Sequence, residues 1–291
     1  MATRTAFGGK DLKIAVVGSV NLDLVARVAR FPLPGETVTD AVLNRYPGGK
    51  GANQALAARR LGAQVALHAC VGADPAADEA LQTLSHEGVK LDHCCKLSDV
   101  PTGLAMILVD AQGENQIVVA AGANAAFTPD LLELEDCDAV IAQLEVPMET
   151  ILQVAQNCDG LFCLNAAPAK PVPGALLERT DVLVVNEVEA EALGKKLAEF
   201  QGWLAITHGG QGAVLRKNQL EVARAKPPRV EVVDTTGAGD AFTAALSVAM
   251  AAGRPPADAL QFACCAGALT TTRPGAQSSP LLSEFAAYLE N

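Results

Sequence analysis

Six short apolar runs, each ending in polar or small residues, set the strongest constraint on how this chain can fold. They are "KIAVVGS" (13–19), "QVALHACVG" (64–72), "AVIAQLE" (139–145), "LFCLNAA" (161–167), "VLVVNE" (182–187) and "WLAITHG" (203–209). Val, Ile, Leu and Ala follow one another there without polar alternation, as in strands buried on both faces. Stretches with helical character, such as "GANQALAARRLGA" and "METILQVAQNC", lie between them. The alternation predicts a three-layer α/β/α fold around a mostly parallel central sheet. Ligands of such sheets bind beyond the carboxyl ends of the strands. Those ends carry Asn21, Asp23, Glu145, Asn186, Thr207 and Asp234 in this chain.

Two segments break the alternation. Residues 22–47 read as extended stretches around "FPLPGE", and residues 103–122 read as a hairpin turning at "AQGEN". Together they predict a small second sheet over the strand ends, inserted in a single domain of residues 1–291. A further hairpin, "GAVLRKNQLEVARAK" (212–226), is expected to extend one edge of the main sheet.

Charge and cysteine usage narrow the partners. The net charge of −11 opposes non-specific nucleic-acid binding, which needs a positive surface. No apolar run reaches the roughly 18–20 residues of a membrane span, so no membrane partner is expected. The opening "MATRTAFGGKDLK" lacks the apolar stretch of a signal peptide, which predicts a loose leader and a cytoplasmic protein. Among the eight cysteines, Cys94–Cys95 and Cys264–Cys265 are adjacent and no CxxC spacing occurs. Buried thiols in a reducing compartment are the expectation.

Three glycine segments carry the chemistry. "YPGGKGANQ" places Gly48, Gly49 and Gly51 around Lys50, ahead of a helix expected from about Ala52; it serves equally as a turn or as a ligand loop. "THGGQG" (207–212) reads first as a hairpin turn. "DTTGAGDA" (234–241) is more specific, because Gly237, Ala238 and Gly239 carry nothing large enough to block an anion at the mouth of a helix. Asp240 is open to two readings there: a helix cap, or a carboxylate aimed at a bound hydroxyl. An anion hole beside an ionised carboxylate suits phosphoryl transfer to an alcohol. Neither the Walker loop nor the dinucleotide fingerprint is present, which removes the dehydrogenase reading.

These motifs, with "GSVNLDLVARVARFPLPGETV", "QLEVP", "VNEVEAE" and "RPGAQSS", resemble in order those of the ribokinase-like (phosphofructokinase-B) carbohydrate kinases. The resemblance runs from about Lys13 to Ser279. It implies an ATP-dependent kinase acting on the 5-hydroxyl of D-ribose, with Asp240 as general base and Gly237, Ala238 and Gly239 as anion hole. By position, Asn21, Asp23, Gly49, Lys50, Asn53 and Glu145 would bind the sugar. Asn186, Thr207, Gly209 and Gly212 would hold the nucleotide phosphates, and Glu189 would organise water around Mg2+. The family's monovalent cation, usually K+, would fall at Asp234, Thr236, Thr270, Arg273, Gly275 and Ser279. The resemblance further implies a homodimer formed through the lid sheet.

The chain departs from the family in two places. The stretch around 192–202 is short, so its helix is expected to be cut down or its layer left open. Cys264 stands where relatives often carry a polar residue near the base. The alternatives that stay open are a kinase for 2-deoxyribose, adenosine or another sugar, and a non-catalytic sugar-binding homologue.

Overall fold

The computed structural model describes residues 11–285 and Tyr288; the first ten residues of the expected leader lie outside the described residues. The strands are β1 (Lys13–Val17), β2 (Asn21–Arg27), β3 (Val42–Gly48), β4 (Gln64–Gly72), β5 (Cys94–Leu97), β6 (Gly103–Val109) and β7 (Asn115–Ala120). They continue with β8 (Ala139–Gln143), β9 (Leu161–Asn165), β10 (Val182–Asn186), β11 (Trp203–Thr207), β12 (Ala213–Lys217) and β13 (Leu220–Ala225). The helices are α1 (Lys50–Arg60), α2 (Pro75–His86), α3 (Met148–Asn157), α4 (Gly174–Arg179), α5 (Glu187–Leu193), α6 (Lys195–Glu199), α7 (Ala238–Ala251) and α8 (Pro256–Thr270).

Nine strands form the main sheet in the order β13-β12-β11-β10-β9-β8-β1-β4-β5. Strands β12 and β13 form the antiparallel hairpin that the pattern predicts at one edge, β12 also pairs antiparallel with β11, and the other pairs run parallel. The unbroken apolar runs are explained by two cores, one on each face. Ile14 and Val16 of β1 turn toward α1, α7 and α8, while Ala15 and Val17 turn toward α3 and α4. Each large side chain so buried contributes about 1.5–3 kcal/mol. Alanines at 52, 55, 244 and 245, all fully buried, let α1 and α7 lie close against the sheet and each other.

The second sheet has the order β3-β2-β6-β7. Only Gly18, Ser19 and Val20 separate β1 from β2, so this sheet rises directly from the carboxyl end of a central strand. Its base is tied down at the entry to β6. Asp74, which also caps α2, accepts from the Thr102 amide at 2.8 Å and from its hydroxyl at 2.7 Å. The short 192–202 stretch forms the end of α5 and the small helix α6, so the cut-down helix is what occurs.

Candidate active site

The segment 234–240 folds as a turn feeding α7. Gly237 caps the helix with φ +78°, and a Cβ there would strike the carbonyl of Ala276. Only glycine meets both demands. Asp240 is therefore inside the first turn rather than at the cap, and its carboxylate turns away from the helix amides. It is 6% exposed and accepts from Asn53 Nδ2 and from Gln54 Nε2, each at 2.9 Å. Of the two readings of Asp240, the cap is thus removed. The Ala238 amide is directed to the Thr235 carbonyl at 3.3 Å. Among the described residues no backbone acceptor takes the amides of Gly237, Gly239 or Asp240, so these are the donors open to an anion.

A second group of polar residues converges on Asp240 from the lid side. Helix α1 starts at Lys50, two residues ahead of the expected Ala52, because Gly49 at φ +89° turns the chain straight out of β3. A Cβ on Gly49 would collide with the backbone of Ser19, Val20 and Asn21, so the loop packs tightly on the end of β1. Glu145 accepts from the Ser19 hydroxyl at 2.5 Å and from the Lys50 amide at 3.2 Å. Asn21 is held by Asn124, whose Nδ2 donates to Asn21 Oδ1 at 2.8 Å while its Oδ1 accepts from the Val20 amide at 2.9 Å. Asn53 Oδ1 is buried without a partner among the described residues, an acceptor waiting for a hydroxyl.

The electrostatics of this group are strained by proximity. Burial, with Glu145 and Asp240 nearby, pushes the Asp23 carboxyl up to about 7. Asp240, with Glu145 and Glu189 further off, holds the Lys50 ammonium above its ordinary value, against the opposing effect of burial. A cluster of carboxylates around one lysine is thus assembled beyond the strand ends.

Behind Asp240 lies an amide network that sequence reasoning did not single out. Gln54 donates to Asp240 and to Asn165 Oδ1, at 3.1 Å, and accepts from Gln143 Nε2 at 2.6 Å. The signal for it was three amides set inside apolar runs, in "GANQAL", "VIAQLE" and "FCLNAA".

On the other side of the α7 amino end opens a cavity of about 650 Å3. Thr207, Gly209, Gly212, Ala238 and Gly239 line it together with Pro228, Val230, Val232 and Cys264. The "THGGQG" segment is also the hairpin turn expected from its composition, closed by His208 N donating to the Gly212 carbonyl at 2.8 Å. Such a cavity, mostly apolar with a few polar groups, matches a nucleotide in size and character.

Asn186 and Glu189 form a reciprocal capping box at the start of α5. The Glu189 amide donates to Asn186 Oδ1, and the Asn186 amide donates to Glu189 Oε2, both at 2.8 Å. Among the described residues Glu189 Oε1 carries no hydrogen bond from the protein, so it fits a hydrated Mg2+, which keeps most of its waters.

The residues expected at the cation come together as a loop pair. Asp234 Oδ1 accepts from the Thr236 amide and hydroxyl, and Oδ2 accepts from the Gly275 amide at 2.9 Å. Burial works to raise Asp234, but these bonds, with Arg27 nearby, outweigh it and leave the carboxyl below its ordinary value. No group of three or more His, Cys, Asp or Glu side chains could hold a metal among the described residues. A cation here would therefore rest on carbonyl and hydroxyl oxygens, and Asp234, Thr236, Thr270 and Gly275 fit that demand. Arg273 can offer only its carbonyl, since its guanidinium pairs with Glu284. Ser279 fits least, because the donor to its carbonyl is the positive Arg60 guanidinium at 2.7 Å, whereas the Thr270 and Gly275 carbonyls accept from the neutral Ser278 hydroxyl.

Comparison with known proteins agrees with this fold. Residues 11–283 match the pfkB family of carbohydrate kinases. The chain is 40% identical over 278 residues to a ribokinase of Bacillus subtilis (strain 168), covering 91% of this chain and 94% of that one. A ribokinase structure from Thermotoga maritima matches with a TM-score of 0.89 at 34% identity, over 96% of this chain and 100% of that one. A ribokinase of Arabidopsis thaliana, complexed with ribose and ATP, matches with a TM-score of 0.87 at 28% identity, over 97% of this chain and 100% of that one.

Proposed function

The chain belongs to the pfkB family of carbohydrate kinases, and from that premise we propose that it transfers the terminal phosphoryl group of ATP to the 5-hydroxyl of D-ribose. One observation carries the reading beyond the family. Asp240 is a buried carboxylate on the residue that follows Gly239, which lines the nucleotide-sized cavity. The sugar hydroxyl oxygen attacks phosphorus as its proton passes to Asp240 and the bond to ADP breaks. The amides of Gly237, Gly239 and Asp240 stabilise charge on the phosphoryl oxygens in flight. Lys50 adds positive charge beside them.

Asn21, Asp23, Asn53 and Glu145 hold the sugar with donors and acceptors, Asn21 being anchored by Asn124, Asn53 by Asp240 and Glu145 by Ser19. Thr207, Gly209 and Gly212 line the phosphate end of the cavity, and Asn186 sets the start of α5 beside it. Glu189 would hold Mg2+ through water, which supplies charge neutralisation for the phosphates. Asp234, Thr236, Thr270, the Arg273 carbonyl, Gly275 and Ser279 are the candidate K+ ligands, and a cation there stiffens the turn that carries the amides.

The whole chain acts as one domain, with the four-stranded sheet as its lid. Val42, Leu43, Met106, Ile117, Val118 and Val119 are exposed on that sheet, which supports pairing with the lid of a second copy. All eight cysteines are free, in keeping with a cytoplasmic setting.

A coupled assay with ribose, 2-deoxyribose, fructose and adenosine, each with and without potassium, tests the reading. Ribose should be the preferred acceptor; a preference for adenosine would overturn the choice of substrate.

A further inference from the structure

Gln54 is fully buried next to Asn53 on α1, and its amide has only one way round. Asn165 Nδ2 donates to the Val184 carbonyl at 3.3 Å, so Asn165 turns its oxygen to Gln54. Gln143 donates to Gln54 Oε1 at 2.6 Å, which turns the Gln54 oxygen away from Asp240. Asn165 therefore forces the Gln54 nitrogen toward the carboxylate, and Gln143 donates to the oxygen on the other side. A flipped amide would set its oxygen against both Asp240 and Asn165 Oδ1 in a dry interior, an outcome costing about 1–3 kcal/mol per unpaired group.

The asymmetry between the two donors to Asp240 matters. Asn53 retains a free acceptor, Oδ1, and belongs to the sugar-facing group. Gln54 spends its amide on the protein alone, between the central sheet and one carboxylate oxygen. A bond that merely filled the core could be replaced by an apolar side chain of the same size, whereas this one ends on the group assigned the proton.

We propose that Gln54 is a positioning residue for phosphoryl transfer: its amide, oriented by Gln143 and Asn165, locks the direction of the Asp240 carboxylate. The inference rests on Asp240 being the general base. One consequence follows from the hydrogen bond. The carboxylate keeps one rotamer, so the attacking hydroxyl meets a lone pair without reorganisation.

The test compares Gln54→Met, Gln54→Glu and Asp240→Asn in the full chain. For Gln54→Met, kcat should fall about 10²-fold while the ribose dissociation constant by calorimetry stays within about threefold. A drop in kcat at unchanged ribose affinity is the split that general loss of packing would not produce. Gln54→Glu keeps the side-chain size and the bond from Gln143, serves if Gln54→Met does not fold, and should lower kcat at least as far, because it faces Asp240 with an acceptor in place of a donor. If Asp240→Asn is inactive but both Gln54 variants keep kcat within about twofold, the positioning role is wrong and the base assignment stands. If Asp240→Asn itself turns over near normally, the base assignment fails, and the positioning role with it.

Discussion

Asn53 donates through Nδ2 to Oδ2 of Asp240 at 2.9 Å, joining the first turn of α1 to the first turn of α7 across 187 positions of sequence. Both helices point their amino ends at the same space, and the bond fixes how far apart those ends can lie. The carboxylate is thereby held in a place where no backbone amide competes for it.

Replacing that carboxylate isolates its contribution. Asp240→Asn should lower kcat by about 10²–10⁴-fold while ribose and ATP still bind. Turnover by coupled assay and affinity by calorimetry give the two halves of the comparison, and near-normal turnover would exclude proton transfer to Asp240.

Asp23 should link pH to both binding and stability. Its carboxyl, pushed from 3.8 up to about 7, holds a proton in the folded state that the unfolded chain has lost, so it subtracts stability as pH rises from about 4 through about 7. The ionised form is the better acceptor for sugar hydroxyls, so kcat/KM for ribose should rise through the same range. Asp23→Asn should flatten that rise and, at pH 8, stabilise the free protein by an amount on the order of 1 kcal/mol once solvent screening is allowed for. Melting temperatures and initial rates across pH 5–9, estimated as about two units either side of the titration, check both signs.

Acid sensitivity should trace to His68. This ring is 1% exposed, stacks on His93 at 4.4 Å, and has neither nitrogen bonded among the described residues. Burial, with His93 alongside, lowers it from 6.5 to about 4. The unfolded chain then binds the proton first, so stability is full above about 6.5 and is lost as pH falls toward about 4. His68→Phe should remove most of that slope, read as Tm against pH; an unchanged slope would assign it elsewhere.

Gly237→Ala tests the turn. The added methyl meets the Ala276 carbonyl in a backbone region that disfavours side chains. Stability should drop by more than about 1 kcal/mol, and kcat should fall with it as the amides lose their alignment. Urea unfolding beside turnover measures both, and retained activity at reduced stability would separate the turn from the anion hole.

Potassium should raise turnover, and Asp234→Ala should abolish the response, because Asp234 ties the 234–236 turn to the Gly275 loop. Equal rates of the unchanged protein in potassium and in a bulky organic cation would sink the cation site.

The layers and both sheets were legible in the sequence because burial on two faces leaves runs without alternation, as at Ile14–Val17. The lid was legible for the opposite reason, since its strands interrupt the β-α rhythm. Asp240 could not be resolved from spacing alone: a cap and a base share the same position near a helix start, and only the start of α7 right after the left-handed Gly237 separates them. The Ala238 amide was assigned with its neighbours, but the turn through Thr235 removes it from the set of open donors. Gln54, Gln143 and Asn165 escaped notice because each is an ordinary buried amide until three distant strands and helices bring them into line. The early start of α1 depended on one left-handed residue, Gly49, whose φ no local pattern declares.

The step from Gly239, on the cavity wall, to Asp240, facing α1, is a single residue of one rigid helix. The reach between donor and acceptor is therefore built into α7 and cannot drift without losing the helix itself. In the proposed sugar site acceptor preference would reside elsewhere, on β2 and the β3–α1 junction, where side chains can change without disturbing that reach. An enzyme organised this way can be retuned to a new alcohol by substitutions in the lid strands, while the part that moves phosphorus is inherited unaltered.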